Sequence, residues 1–210
     1  MIEKGQLEKI RANFQTTLDN VEREYGQHLF LSRFYKKKES DKVLFKGGTA
    51  LRFAYKSPRF SEELDFSVTA DLDQKKIEEM VLSVLVDFTN QGIVTEIEES
   101  KATTGGYLAN LFVNIFGKKA SIAIQISSRE RGGMDSQMLA ITNEYIPTYS
   151  AKLLSQDEII REKIQAALTR SKPRDFFDVY FLIREGLIPI KERPLLKDVR
   201  KVLYSEKVDF

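Results

Sequence analysis

The sequence predicts an α/β (α+β) fold: a mixed sheet flanked by helices, with a C-terminal helical subdomain. Three patterns predict it. Apolar residues recur at helical spacing near the N-terminus, at Leu7, Ile10, Phe14, Leu18, Val21, Tyr25 and Leu29. Strand-length apolar runs separated by glycine-bearing turns fill residues 93–127. Helical spacing returns after Ser155. The change of pattern near residue 150 divides the chain into a 1–150 domain, which includes the N-terminal helices, and a 151–210 helical subdomain.

Taken in order, residues 6–34 form one or two amphipathic helices. The polar break Lys36-Lys37-Lys38-Glu39-Ser40-Asp41 closes them and reads as a solvated loop. Val43-Leu44-Phe45 is a short apolar run leading into Gly47-Gly48, and Thr49 is placed to cap a helix through Tyr55. Pro58 ends that region. Residues 64–68 read as a strand, and 71–90 as a helix capped by Asp71 or Asp73 and punctuated by Gly92. Residues 93–100, 107–116 and 120–127 read as strands. Gly105-Gly106 and Gly117-Lys118-Lys119 between them imply antiparallel hairpins. Residues 128–142, with Gly132-Gly133, read as a loop. Ser155-Gln156-Asp157-Glu158 fits the capping box of a helix over 157–170. Pro173 suits the first turn of the next helix, Gly186 its end, and residues 198–207 form a last helix.

The chain has 210 residues, 42% hydrophobic and 30% charged, enough for a core without staples and outside the range of disordered chains. The net charge of +2 gives no global basic field, so any contact with nucleic acid must come from a local patch. The absence of cysteine excludes disulfides, thiolate metal sites and a cysteine nucleophile. The one histidine, His28, excludes multi-histidine metal sites, and a Ser-His-Asp triad would have to use it. Its place beside Leu29 on an amphipathic helix reads as structural. No stretch approaches the roughly 18 apolar residues of a transmembrane helix. The first residues are charged and amphipathic rather than signal-like, so the expectation is a soluble cytoplasmic protein with no membrane partner.

The chemistry concentrates in Lys46-Gly47-Gly48-Thr49-Ala50-Leu51-Arg52-Phe53 and Arg59-Phe60-Ser61-Glu62-Glu63-Leu64-Asp65-Phe66. Two glycines between a strand and a capped helix let the backbone approach a ligand and turn N–H groups outward, as a phosphate site requires; a plain tight turn uses the same pair. Glu63 and Asp65 stand at i and i+2, which on a strand puts both carboxylates on one face. Such a pair repels unless water screens it or a cation sits between, and oxygen ligands suit a divalent metal. It reads equally as a solvated strand face.

Gly-Gly, 14 intervening residues and then acid-x-acid on a strand resembles the nucleotidyltransferase fold. Adding the tail SQDEIIREKIQAALTRSKPRDFFDVYFLI, residues 155–183, the chain resembles the AbiEii/AbiGii-type toxin nucleotidyltransferases, which include the MenT-like enzymes of toxin–antitoxin and phage-defence systems. The resemblance spans about residues 43–184, with its three segments in the family's order. It implies a metal-dependent transfer of NMP from an NTP to an acceptor, foremost the tRNA acceptor end, with Mg²⁺ or Mn²⁺ and a cognate antitoxin partner.

By the same resemblance, Lys46, Gly47, Gly48 and Thr49 form the nucleotide-binding turn, and Glu63 and Asp65 the metal-binding, catalytic pair. Arg59 and Ser61 support them. Lys163, in E-K-x-x-A, contacts the nucleotide phosphates, and Asp175, in R-D-x-x-D, is a further catalytic acid with Arg174 and Asp178 beside it. Taken singly, Lys163 reads equally as a surface lysine, Asp175 as a favourable charge in a first helical turn, and Asp178 as an i,i+4 partner of Arg174.

The sequence departs from the family pattern at Glu63, where an aspartate is usual, and at Gln125, where a third acid on a neighbouring strand is expected. A neutral amide holds a divalent cation less strongly than a carboxylate. Glu96 and Glu98 are candidate substitutes. The departures leave open a catalytically weakened NTP- or RNA-binding relative that acts through partner binding. Arg129, Arg131, Lys152, Arg161, Lys163, Arg170, Lys172 and Arg174 read either as a patch for RNA phosphates or as chance clustering among 33 basic residues. Phe53, Tyr145 and Tyr149 read as core.

Overall fold

The computed structural model describes residues 2–69, 72–128 and 133–205. Asp71, Arg129, Arg131, Gly132 and residues 206–207, which figure in the expectations above, lie outside the described residues. Two compact units emerge, Met1–Leu153 and Leu154–Phe210.

In the first unit, helices α1 (Lys4–Phe14) and α2 (Leu18–Phe34) precede β1 (Val43–Lys46), α3 (Gly47–Tyr55), β2 (Glu63–Val68) and α4 (Gln74–Asn90). Strands β3 (Thr95–Thr103), β4 (Gly106–Ile115), β5 (Lys118–Ser127), β6 (Ser136–Ile141) and β7 (Tyr149–Leu154) follow. They form one mixed sheet in the order β3-β4-β5-β2-β1-β7-β6. The β3, β4 and β5 strands are antiparallel neighbours, as their glycine-bearing turns imply. The β5–β2 and β1–β7 pairs are parallel and β2–β1 is antiparallel.

Period-two burial fixes which face of the sheet meets the helices. Tyr107, Ala109, Leu111, Val113 and Ile115 of β4 and Ala120, Ile122, Ile124 and Ile126 of β5 are buried. Helices α2 and α4 cover that face. The α4 helix turns Ile77, Val81, Val84, Leu85 and Phe88 inward at helical spacing, and its first turn is capped by Asp73, whose side chain accepts from Lys75 N at 3.3 Å. Near the sheet centre the rings of Phe34, Phe45, Phe53 and Phe66 meet at centroid distances of 5.4–6.2 Å.

A buried ion pair ties α2 to α3. The Arg52 guanidinium donates to both Glu24 carboxylate oxygens, and each residue is 6% exposed. Tyr145 donates its hydroxyl to Glu24 at 3.3 Å. The Phe60 ring stacks 3.6 Å from the Arg52 guanidinium carbon, and Phe14 approaches it at 5.0 Å. Burial pushes the Glu24 carboxyl above its ordinary value, while Arg52 and Tyr145 draw it back.

His28 is a core residue, as its sequence position implies. It is 2% exposed, stacks on Phe53 at 3.8 Å, and shares a 2.9 Å hydrogen bond with the Tyr149 hydroxyl. Burial holds its imidazole well below the ordinary value, and the Lys56 and Arg52 cations act the same way. The unfolded chain therefore binds a proton near pH 6.5 that the folded chain refuses. Stability from this group is present above about pH 6.5 and is lost as pH falls toward the folded value, by at most about 1.4 kcal/mol per pH unit. Thermal melts between about pH 7.5 and 5.5 should show a shallower loss in His28→Leu than in the parent. Parallel curves would refute this assignment.

The second unit holds α5 (Gln156–Thr169), α6 (Pro173–Arg184) and α7 (Leu196–Ser205). Ser155 caps α5, accepting from Glu158 N at 3.3 Å, and Pro173 opens α6. Gly186 follows the last turn of α6 in the left-handed region, φ +65°. Ile159, Ile160, Ile164 and Ala167 are buried in this unit, as are Val179, Phe181 and Leu182. No helix among the described residues is long and apolar enough to cross a membrane.

Three expectations are corrected. Residues 136–141, expected as part of a loop, form β6, and residues 149–154, where helical structure was expected to begin, form β7. Both are six-residue strands near one edge of the sheet, and β6 is mostly exposed, so it carries little of the burial alternation that marks β4 and β5. Helix α3 begins at Gly47, with Lys46 as its N-cap, rather than after a Thr49 cap.

Candidate active site

Strand β1 runs straight into α3, so Gly47 and Gly48 are the helix's first two residues rather than a separate turn. Their N–H groups are among the four at a helix start that lack intrahelical acceptors. The N-cap Lys46 makes no side-chain capping bond. Gly47 has φ +80°, in the left-handed region. A Cβ there would lie 2.1 Å from the Asp65 Oδ2 and 2.8 Å from its Cβ, so the Asp65 carboxylate occupies the space that any other residue would fill. At Gly48 a Cβ would lie 2.6 Å from an Arg59 guanidinium nitrogen and 2.9 Å from the Ser61 hydroxyl. Asp65, Arg59 and Ser61 thus converge on the paired glycines.

The acid pair sits as the i, i+2 spacing requires. Glu63 and Asp65 share one face of β2 and are half-buried, while Leu64 and Phe66 are in the core. Asp65 pairs in register with Lys46 on β1 and with Gln125 on β5. Gln125 is exposed and on the same face, so the amide stands where a third acid was expected. Glu96 and Glu98 do not replace it. They lie on β3, three strands from β2, or roughly 14 Å at ordinary strand spacing, and Glu96 is paired with Lys119.

Among the described residues no cluster of three or more His, Cys, Asp or Glu side chains is suited to a metal. Glu63, Asp65 and Gln125 offer oxygen donors alone, two anionic and one neutral, a set that fits one hard divalent cation such as Mg²⁺ or Mn²⁺. Thr49 is fully buried and donates its hydroxyl to the Glu63 carbonyl at 2.5 Å. It therefore braces the acid strand, rather than capping the helix as expected.

The second unit carries the other expected residues. Lys163 is 7% exposed and its Nζ is 2.8 Å from the Asp178 carboxylate, itself 1% exposed. Asp178 thus serves Lys163, a contact between α5 and α6 that the i,i+4 reading with Arg174 did not contain. Asp175 is 1% exposed: one oxygen accepts from Arg170 at 2.6 Å and the other from the N–H of the N-cap Lys172 at 3.2 Å. A carboxylate so held orders its own turn. Arg174 is exposed in the same turn. Of the basic cluster, Arg161, Lys163 and Arg170 are ion-paired with Glu158, Asp178 and Asp175.

Residues 29–207 match the family model described as "Nucleotidyl transferase AbiEii toxin, Type IV TA system". No curated protein sequence matches the chain. Among solved structures it is similar to MenT4, a nucleotidyltransferase toxin from Mycobacterium tuberculosis H37Rv, with TM-score 0.60 and 20% identity over 89% of this chain and 63% of that one. It thus spans less than two thirds of the MenT4 chain. It is also similar to JHP933 from Helicobacter pylori, with TM-score 0.63 and 21% identity over 89% of this chain and 77% of that one. At these identities the likeness establishes a shared fold.

Proposed function

Because the chain belongs to the AbiEii nucleotidyltransferase toxin family, we propose that it transfers a nucleoside monophosphate from an NTP to RNA, foremost the tRNA acceptor end. In this reading it acts in the cytoplasm as the toxin of a toxin–antitoxin or phage-defence system, with a cognate antitoxin protein as its restraint. The observation that carries the proposal is the Asp65 carboxylate seated in the space left by Gly47. It joins a helix start able to receive phosphate to a metal-type acid pair in one constellation.

In this reading the α3 N–H groups at Gly47 and Gly48 hold nucleotide phosphates, and Lys46 and Arg59 supply positive charge beside them. Ser61 supports the same turn. Glu63 and Asp65, with Gln125, hold one Mg²⁺ or Mn²⁺, which when bound neutralises phosphate charge. The acceptor hydroxyl oxygen attacks the α-phosphorus, the bond to the bridging oxygen breaks, and pyrophosphate leaves with the electron pair. The hydroxyl proton passes to a carboxylate of the pair. Lys163, oriented by Asp178, neutralises the leaving pyrophosphate. Asp175 contributes by fixing the turn that carries Arg174, a further phosphate contact.

The test is a transfer assay with purified protein, Mg²⁺ or Mn²⁺, each labelled NTP in turn, and total tRNA. Label on RNA is the expected result. Label on the protein itself would keep the chemistry and change the acceptor. NTP binding without label anywhere would overturn the enzyme and leave the second reading, a catalytically weakened NTP- or RNA-binding relative, which the exposed amide of Gln125 beside Asp65 favours. Gln125→Asp adds a third carboxylate there and should tighten Mn²⁺ binding by about tenfold, read by titration calorimetry. Unchanged affinity would remove Gln125 from the ion's surroundings.

A further inference from the structure

The segment joining α3 to β2, residues 56–62, has no helix or strand of its own, yet Arg59, Ser61 and the approach to Glu63 all depend on its path. Carbonyls in such a segment need donors from elsewhere. Two buried side chains supply them. Arg52 donates to the carbonyls of Ser57 at 3.1 Å and Pro58 at 3.0 Å. Gln27, on α2 and 1% exposed, donates from its one amide nitrogen to the carbonyls of Ser61 and Glu62, each at 3.1 Å.

The Glu62 carbonyl belongs to the peptide unit that enters Glu63, and the Ser61 carbonyl to the unit before it. The Thr49 hydroxyl holds the next carbonyl, that of Glu63. Three consecutive peptide units across the first acid are therefore held by side chains from two helices. A planar amide with two N–H groups fixes both the spacing and the tilt of the carbonyls it bridges. We propose that Gln27 is a positioning residue for the acid pair, setting where Glu63 enters the strand and where Ser61 meets Gly48. The catalytic consequence rests on the transfer function proposed above; the conformational one does not.

The test compares Gln27→Met, which keeps length and loses both donors, with Val21→Ala, a fully buried truncation elsewhere on α2. Two readouts are taken at equal fractions folded. In Gln27→Met, kcat for transfer should fall by about 10–100-fold, since displacements near 1 Å cost this much, while KM for NTP stays within about twofold. Gln27→Glu, whose carboxylate would face two carbonyls, should fall at least as far. Amide exchange over residues 61–65 should be faster in Gln27→Met than in Val21→Ala. Equal kcat losses in Gln27→Met and Val21→Ala, or exchange over 61–65 no faster than in Val21→Ala, would overturn the assignment. If the parent protein transfers nothing, the function proposed above fails and the exchange comparison alone decides the role of Gln27.

Discussion

Gly47→Ala is expected to silence transfer as completely as Asp65→Ala, by at least about 10²–10³-fold, although it removes no functional group. Asp65→Ala deletes a carboxylate of the proposed ion site outright. Gly47→Ala reaches the same end by displacement. The added methyl would lie 2.8 Å from the Asp65 Cβ, an atom too close to the backbone to swing clear, so the carboxylate must leave its place. The left-handed φ of +80° adds a backbone cost of about 1–3 kcal/mol for a residue with a side chain. Calorimetry and the transfer assay together test this. Asp65→Ala should lose transfer and Mn²⁺ binding while staying folded, and Gly47→Ala should lose both and also melt lower. Retained transfer in either variant would remove the glycine–aspartate constellation from the mechanism.

Glu24→Ala should be among the most damaging substitutions for stability, at about 3–5 kcal/mol. It leaves the Arg52 guanidinium 6% exposed without its counter-charge, still stacked on Phe60 and still tied to two carbonyls. An orphaned buried charge costs far more than the intact pair contributes. Set against a usual total of about 5–15 kcal/mol, the loss removes roughly a fifth or more of the stability. Urea denaturation should show a lower midpoint with an unchanged slope. Replacing both partners with Met should cost less than Glu24→Ala alone, because no charge is then stranded. A midpoint shift within experimental error in Glu24→Ala would mean that water reaches Arg52.

The legible parts of this fold were those that local chemistry decides. Ser155, Asp73 and Pro173 announce helix starts because capping acts within a few residues. The β4–β5 hairpin shows because alternation and glycine turns act together. Strand β6 stayed hidden because a mostly exposed edge strand buries too little to pattern its sequence. At the site, the i, i+2 spacing puts Glu63 and Asp65 on one face, and the register of β5 sets Gln125 directly beside Asp65, where the family pattern expects a third acid. The roles of Gln27, Arg52 and Asp178 were not legible. Each acts on a partner distant in sequence or carried by another element, and nothing local distinguishes a glutamine that bridges two carbonyls from one facing water.

The strand order sets a timetable for synthesis. Strand β2, bearing both acids, waits for its parallel partner β5, and β1 finds β7 only when residue 153 joins residue 45. At cellular rates of about 5–20 residues per second, the hundred-odd residues between them take roughly 5–20 s to make. Until β5 is made, the acid strand has only β1 to pair with, and a two-stranded hairpin alone is marginal in water. The sheet around the proposed site is therefore completed late, once the chain has been translated past residue 153.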